Sequence, residues 1–470
     1  MNKSVLLVGL MIISLPLMAQ KSKKPSPPQE IKIAMNSAAW NFPAGSVEFL
    51  NYKNTSALKI LKSGNNVTIK DLKFSSGTME FDLEPIQGAT IYFHRKDDNE
   101  QETIYLRLGA IGNKLAYDAI QYAPYFYGVN MWDMYPKYQG PAPIKKDDWN
   151  HMKLVIAGKQ MKVYMNQQVK PVLEIPKLEG NFMDGFFAFE GTSYIANVTI
   201  RPNETEGLSP SEGVDLTNHD GNYLRKWAIS KPEALPKGSE AYLGNQAKPQ
   251  DYTDSISAER EGMINLTRKL GGNIERKVIW MKTKITAKEA VRTSLQLGFS
   301  DEVWVFLNNQ AVYVDKNLYA QNMRKYPNGR MSIENARIDL NLKQGDNELM
   351  LAVANDFYGW GIVARLTSTE SITELDNISS ITKVAKEISN LDLDVYLGVY
   401  SNTSMPMKLT FIKKDKILAV QPTGQPEIAL QAIGNHSFSN NQIGFVLEFK
   451  LLDKKVFIKQ GNQILEFSKD

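Results

Sequence analysis

The chain of 470 residues contains no cysteine. This absence excludes disulfide bonds, thiolate nucleophiles and zinc sites built on cysteine. Histidine is also scarce, and no two of the four histidines lie close together in the sequence: His94, His151, His219 and His436. That spacing argues against a histidine-rich metal site, and no metal is predicted. The net charge of +4 is too weak to indicate nucleic acid as a partner.

Long apolar runs are nearly absent after the N-terminus. Lys3 precedes an apolar stretch over residues 5–15, which has the length of a signal peptide and is too short to span a bilayer stably. We predict cleavage after Ala19, so that residues 1–19 are a signal peptide; a membrane anchor is the alternative. Residues 20–30 follow as a Pro- and Lys-rich tether. The sequence therefore predicts a secreted or periplasmic protein of bacterial type, with no membrane span in its mature form.

Helical periodicity is scarce too, and short apolar alternations recur between Gly, Asn and Asp turns from Ile31 onward. Many short strands at this spacing are typical of sandwiches and barrels. The chain is too long for one core. We therefore predict an all-β protein with two tandem β-sandwich (jelly-roll) domains, over residues 31–201 and 214–368, and a small C-terminal β-barrel-like domain over residues 391–470.

Two polar segments separate the predicted domains. Residues 201–213 are turn-rich without an apolar period and are read as a linker. Residues 369–390 are read as a second linker with one short helix, because five apolar residues fall near i, i+3, i+4 spacing: Ile378, Ile381, Val384, Ala385 and Ile388.

The first predicted domain carries three suggestive segments in order: SGTMEFDL at 76–83, DWNHMKLV at 148–155 and KVYMN at 162–166. Together they resemble the concanavalin A-like lectin/glucanase jelly rolls, especially the laminin-G-like and sugar-hydrolase-associated bacterial members. The resemblance implies two curved sheets. It also implies that carbohydrate sits on the concave face or at loops along its rim.

The second predicted domain is clearest at LGFSDEVWVFLNNQ, residues 297–310. Apolar residues occupy both alternating positions over 303–307, which predicts a central strand, and Asn308-Asn309 predicts a hairpin turn. With the later segments at 338–349 and 352–365, this order resembles a galactose-binding-like β-sandwich of the kind attached to bacterial glycosidases.

The third predicted domain contains YLGVYSN at 396–402 and LAVQPTGQP at 418–426. These segments resemble the small β domain appended to serine β-lactamase-related hydrolases. The catalytic hydrolase domain that usually precedes it does not occur in this sequence.

Residues 117–144 are crowded with rings and broken by Gly and Pro. Amphipathic rings on a surface loop are suited to stacking on the faces of sugars or to binding a partner protein. The alternative is that these rings are buried and pack the loop against its own sheet or against the next domain. Under the binding hypothesis an oligo- or polysaccharide contacts eight residues: Tyr125, Tyr127, Asn130, Trp132, Asp133, Tyr135, Tyr138 and, from a later sheet end, Trp360.

One strand carries three carboxylates on one face, Glu80, Asp82 and Glu84. Their E-x-D-x-E spacing matches that of laminarinase-type glucanases. By this match Glu80 and Glu84 would flank the glycosidic bond, and Asp82 would tune their pKa values. The alternative is that these carboxylates form the solvated face of a strand whose other face is buried. No complete catalytic motif appears elsewhere.

No cofactor is predicted. The stretch DDNE at 97–100 carries oxygens that suit calcium, and a solvated loop tip is the simpler interpretation. Taken together, the sequence favours a carbohydrate-binding accessory protein of a bacterial envelope without its own catalytic site. The alternatives are a glycoside hydrolase acting through Glu80, Asp82 and Glu84, and a non-catalytic module that holds a protein partner.

Overall fold

A computed structural model describes residues 30–113, 116–247, 252, 254–272, 275–319, 322–375, 392–414, 417–434, 436–440, 443–460 and 463–470. These residues form an all-β protein, as predicted, with a single α-helix among them, α1 (Leu266–Leu270). Within the same ranges no helix has the length and apolar character needed to cross a bilayer.

The first part of the chain folds into a sandwich of two eight-stranded antiparallel sheets. Its strands are β1 (Ile31–Lys32), β2 (Trp40–Asn41), β3 (Val47–Tyr52), β4 (Thr55–Ile60), β5 (Val67–Phe74), β6 (Gly77–Pro85), β7 (Ala89–Arg95), β8 (Gln101–Leu106), β9 (Ile120–Phe126), β10 (Val129–Asn130), β11 (Gln139–Gly140), β12 (Asn150–Ala157), β13 (Gln160–Met165), β14 (Leu173–Ile175), β15 (Gly185–Glu190) and β16 (Ser193–Pro202).

The first sheet has the order β14-β13-β12-β6-β16-β4-β3, with β1 beside β16. The second has the order β10-β9-β8-β7-β15-β5-β2, with β11 beside β9. Alternate residues of each strand face the common core. Phe81 of β6 meets Phe189 of β15 there edge to face, with ring centroids 5.2 Å apart.

The second sandwich pairs an eight-stranded sheet with a four-stranded one. Its strands are β17 (Lys226–Ile229), β18 (Glu233–Ala234), β19 (Asp254–Ser257), β20 (Met263–Asn265), β21 (Lys277–Ala287), β22 (Val291–Ser300), β23 (Glu302–Leu307), β24 (Gln310–Lys316), β25 (Ala336–Leu342), β26 (Gly345–Ala354), β27 (Gly361–Leu366) and β28 (Ile372–Leu375).

The larger sheet of this sandwich has the order β19-β17-β21-β26-β23-β24, and the smaller one β20-β27-β22-β25. Strand β23 lies between β26 and β24 and is buried along its whole length, as its apolar pattern predicts. Trp304 and Phe306 point away from the main core into a second apolar cluster with Leu235 and Ala241. The turn at Asn308-Asn309 joins β23 to β24.

The C-terminal part is a closed barrel of eight strands. They are β29 (Gly398–Asn402), β30 (Met405–Lys414), β31 (Ile417–Pro422), β32 (Ile428–Gly434), β33 (Ser437–Asn440), β34 (Phe445–Lys450), β35 (Lys455–Gln460) and β36 (Gln463–Lys469). Its interior is filled by aromatic rings grouped around Phe449.

Both predicted linkers make contacts with a sandwich in the parts that the structure describes. Residues 203–213 pack back onto the first sandwich: the Lys159 amide donates to the carbonyl of Pro210, and the Gly213 amide donates to that of Pro176. Residues 372–375 form β28, which pairs with β21 of the second sandwich. The predicted helix over Ile378–Ile388 lies outside the described residues.

The hairpin between β23 and β24 offers a test of the fold. Asn308 and Asn309 both have left-handed backbones, with φ of 50° and 61°. A β-branched side chain is costly in that region, so Asn309→Val should lower the free energy of unfolding by about 1–2 kcal/mol in urea titrations. Asn309→Gly should be neutral or stabilising. Asn341→Val, at an exposed position of β25, is the control; equal effects of the two valine variants would contradict the turn geometry.

Candidate functional site

The two sandwiches meet at a seam around Trp132, which exposes 7% of its surface. Its ring packs edge to face against two rings of the second sandwich, with centroid distances of 4.8 Å to Tyr319 and 5.8 Å to Tyr358. The Arg330 guanidinium lies 5.0 Å from the same ring. Trp132 therefore occupies the interface between the sandwiches.

Tyr135 and Tyr138 are buried at the same seam, and each finds a polar partner for its hydroxyl. The Tyr138 hydroxyl donates to Glu179 at 2.9 Å. The Tyr135 hydroxyl accepts from the Asn265 amide of the second sandwich at 3.2 Å, and Glu259 lies 3.4 Å from it. Burial raises the pKa of both tyrosines, so these hydroxyls stay protonated.

The expectation of an exposed aromatic loop is therefore wrong for Trp132, Tyr135 and Tyr138. The second sandwich covers Trp132 and Tyr135, and Tyr138 packs against Tyr122 and Tyr135 within the first sandwich. Both arrangements match the alternative of internal packing that the sequence left open. The stretch is also less irregular than expected, because residues 120–126 form β9. Tyr127 is exposed and Tyr125 and Asn130 are half-buried, so their binding role remains a prediction.

Two buried aspartates, one from each sandwich, meet at the seam. The Ser300 hydroxyl lies 3.0 Å from an oxygen of Asp133 and 3.0 Å from an oxygen of Asp301. One hydroxyl proton cannot serve both carboxylates, so a proton on one carboxyl group completes the set. Burial raises the pKa of Asp133 to about 7. Burial and the nearby charge of Asp133 raise the pKa of Asp301.

These aspartates also hold the turn over residues 356–359. One oxygen of Asp301 accepts from the backbone amides of Asp356 at 2.6 Å and Phe357 at 2.7 Å. Asp133 accepts from the Gly359 amide at 3.3 Å. The predicted sugar contact of Asp133 is therefore replaced by contacts within the protein. Trp360, the next residue, is buried in the core of the second sandwich rather than at a ligand surface.

Beside the seam, the outward side of the second sheet carries a row of tyrosines. We call this surface the tyrosine face; it consists of the outward side chains Tyr92, Gln101, Tyr105, Gln121, Tyr125 and Glu190, which register places on one side of the sheet. The Tyr92 hydroxyl donates to Glu190 at 2.6 Å. The Gln121 amide donates to the Trp132 carbonyl at 2.7 Å, which makes the face continuous with the seam.

Three amide oxygens on this side of the sheet are buried and accept no hydrogen bond within the described part of the chain: Gln101 Oε1, Asn130 Oδ1 and Gln139 Oε1. Gln101 and Asn130 both pair with Tyr125, one from each neighbouring strand. Buried acceptors are normally satisfied, so each unpaired one calls for an explanation. The pair beside Tyr125, with Gln139 opposite Gln121 on the same side of the sheet, suits a ligand that carries several hydroxyl donors.

Three rings of the second sandwich cluster at the seam, and two of them contact Trp132. We call them the ring ledge: Tyr319, Phe357 and Tyr358, which expose 39%, 40% and 40% of their surfaces. Tyr319 and Phe357 have nearly parallel planes at 6.4 Å, and Phe357 meets Tyr358 edge to face at 4.4 Å. Burial above all raises the pKa of Tyr125, and Glu190 and Tyr358 add to the effect.

The three carboxylates of β6 lie elsewhere, on the outward side of the first sheet, and each has partners there. Glu80 binds Arg201, and Glu84 accepts from Lys53 at 2.6 Å and Tyr52 at 2.9 Å.

Burial alone would raise the pKa of Asp82, but hydrogen bonds from His151 and Asn197 lower it. A glycosidase needs one carboxylic acid as proton donor, whereas each of these three carboxylates already binds a cationic or hydrogen-bond-donating side chain. The arrangement suits the solvated-face alternative.

The loop over residues 97–100 uses its oxygens internally. Asp97 accepts from the Asn99 amide at 2.8 Å and the Glu100 amide at 3.0 Å. Asp98 accepts from Arg95 and Asn66. Within the ranges that the structure describes, no group of three or more His, Asp and Glu side chains is placed to hold a metal ion.

Sequence reasoning missed most of the tyrosine face and all of the ring ledge. The signal for the face was present: Tyr92, Tyr105 and Tyr125 each alternate with core residues on adjacent strands. The ledge carried no such signal, because its three rings come from two separate loops of the second sandwich. Only the packing of the two sandwiches brings them to the tyrosine face.

No protein-family model matches the chain, and no curated protein matches it. Among solved structures, a carbohydrate-binding module from Bacillus subtilis is 13% identical, with a TM-score of 0.26 over 34% of this chain and 95% of its own. A protein from Parabacteroides distasonis named as a glycosyl hydrolase is 16% identical, with a TM-score of 0.28 over 37% of this chain and 99% of its own.

A third structure is domain 4 of an extracellular arabinanase from Geobacillus stearothermophilus, in complex with arabinotriose. It is 13% identical, with a TM-score of 0.23 over 37% of this chain and 82% of its own. Identities and TM-scores in this range assign neither a ligand nor an activity to this chain.

The seam assignment predicts a difference between two aromatic truncations. Trp132→Ala should lower the free energy of unfolding by about 3–5 kcal/mol, because it empties a buried site between the sandwiches. Phe357→Ala should cost less, about 1 kcal/mol, because two fifths of that ring's surface is already in solvent. Urea titrations of both variants test this, and similar losses for the two would contradict the interface role of Trp132.

The aspartate pair predicts a pH dependence of stability. The pKa of Asp133 is about 7 when folded and about 3.9 when unfolded, so the folded state keeps a proton that the unfolded state has lost. The free energy of unfolding should therefore fall as pH rises from about 4 to about 7, by up to ~4 kcal/mol.

Asp133→Asn should flatten this slope, measured by urea titration at several pH values. His151, whose pKa is raised by Asp82, contributes with the same sign in both proteins and so cancels in the comparison. If the free energy of unfolding of Asp133→Asn depended on pH as steeply as that of the wild type, Asp133 would not be the group that keeps the proton in the folded state.

Proposed function

We propose that this chain is an exported, non-catalytic glycan-binding protein that holds an uncharged sugar on the tyrosine face. The observation that carries the proposal is the group of buried, unpaired amide oxygens around the partly exposed ring of Tyr125. A sugar offers a face that packs on a ring and hydroxyls that donate to such oxygens. The first sandwich thereby serves the role that its resemblance to lectin-like jelly rolls implies.

The electrostatics of the face favour a neutral sugar over an acidic one. Its nearest cation, Arg107, donates to the carbonyl of Asp118 at 2.6 Å and also to Tyr105 and Gln121. Glu190 adds a negative charge on the same face. A carboxylated or sulfated sugar would meet no free cation among these groups and would be repelled by Glu190.

Two alternatives have less support. The hydrolase alternative requires a proton donor at β6, where every carboxylate has a cationic or donor partner. The protein-interaction alternative relied on an aromatic loop, and that loop is occupied by the second sandwich. Exposed rings next to unpaired acceptors suit sugar hydroxyls better than an apolar protein surface.

The test is affinity electrophoresis of the protein through gels that contain neutral polysaccharides (β-glucan, mannan, arabinan, galactan) or acidic ones (pectin, alginate). We expect retardation by a neutral polysaccharide. Gln101→Leu should weaken that binding about 5- to 30-fold, because a ligand hydroxyl loses its acceptor at a cost of ~1–2 kcal/mol.

The leucine variant is informative because it should not harm folding. An unpaired buried oxygen costs stability, so replacing the amide by an apolar group of similar size should be neutral or stabilising. Gln87→Leu, in an exposed turn of the same sandwich, is the matched control. Retardation by no gel, or equal binding by both variants and the wild type, would count against the proposal.

A further inference from the structure

The ring ledge remains partly exposed, although two of its rings, Tyr319 and Tyr358, also pack against Trp132 at the seam. Three large rings cluster there, each with about two fifths of its surface in solvent. By contrast Trp360, two residues after Tyr358, is buried. A contiguous exposed aromatic patch on a folded chain marks a binding surface more often than isolated exposed residues do.

The ledge is held rigidly. The carboxylate of Asp301 binds two successive amides at the start of the turn, and Asp133 binds the amide at its end. Between these anchors Tyr358 has a left-handed backbone, with φ of 64°. Such a conformation is unfavourable for a bulky side chain and persists only where the surroundings impose it. Rigid presentation lowers the entropy lost when a ligand binds.

The ledge is also continuous with the tyrosine face. Trp132 supports Tyr319 and Tyr358 from below with its ring, while its carbonyl accepts from Gln121 of the face. A ligand on Tyr125 that extended toward the second sandwich would therefore reach the ledge.

We propose that the ring ledge binds further sugar units of the chain whose first unit lies on the tyrosine face. The ligand is then a linear chain that crosses the seam between the two sandwiches, and neither a monosaccharide nor a single terminal sugar fills the site. This inference rests on the proposed function and extends it. The second sandwich supplies the part of the site that makes long sugar chains bind more tightly than short ones.

The experiment uses neutral oligosaccharides of two to eight units, prepared by partial acid hydrolysis of the polysaccharide that retards the full-length protein. Affinities are measured by isothermal titration calorimetry. For the wild type we expect affinity to rise with length and then level off. Phe357→Ala and Tyr319→Ala should each weaken binding of the longer chains about 3- to 10-fold and leave binding of the disaccharide unchanged.

Tyr242→Ala is the matched control, because Tyr242 is an exposed tyrosine of the same sandwich that lies in another loop. It should bind every length as the wild type does. Equal affinity of the wild type for short and long chains would overturn the inference, as would a ledge variant that weakens short and long chains alike. Failure of the proposed function looks different: the wild type then binds no length, or Gln101→Leu has no effect on the disaccharide.

Discussion

The contact among Asp133, Ser300 and Asp301 is the constraint on which the candidate site depends. It joins a loop of the first sandwich to the end of a strand in the second through one hydroxyl and two carboxyl groups, all buried. The same two aspartates bind the backbone of the turn that carries Phe357 and Tyr358. The same contacts therefore set both the packing of the two sandwiches and the position of the ring ledge. A buried polar contact of this kind fixes relative position because every alternative leaves a carboxyl group without partners.

Around this contact, ring contacts and a cation over a ring also join the sandwiches. Trp132 contacts two rings of the second sandwich, and Arg268 of α1 lies over the ring of Phe126 at 3.9 Å while donating to the carbonyl of Glu179. Burial of these rings stabilises the seam, and its directional hydrogen bonds restrict how the two sandwiches can pack. The tyrosine face and the ring ledge consequently behave as one surface.

Local patterns in the sequence predicted the all-β architecture well. The alternation over 303–307 and the pair Asn308-Asn309 each act between neighbouring residues, so the strand and its turn could be read without knowledge of the rest. The site could not be read in the same way. Whether Trp132 faces solvent depends on a surface more than 180 residues away, around Tyr319 and Tyr358. Gln101 looks like any polar residue of a strand until its neighbours are known, because only they show that its oxygen has no donor.

The burial of Trp132, Tyr135 and Tyr138 has a consequence for how this chain can be divided. A fragment that ended before residue 214 would keep most of its own core but would lose the residues that cover Trp132 and Tyr135 and the hydrogen-bond partners of Asp133. Such a fragment would expose an apolar surface that favours self-association. The functional unit that can be cut from this chain is therefore the pair of sandwiches, although each one alone has the layers of a complete domain.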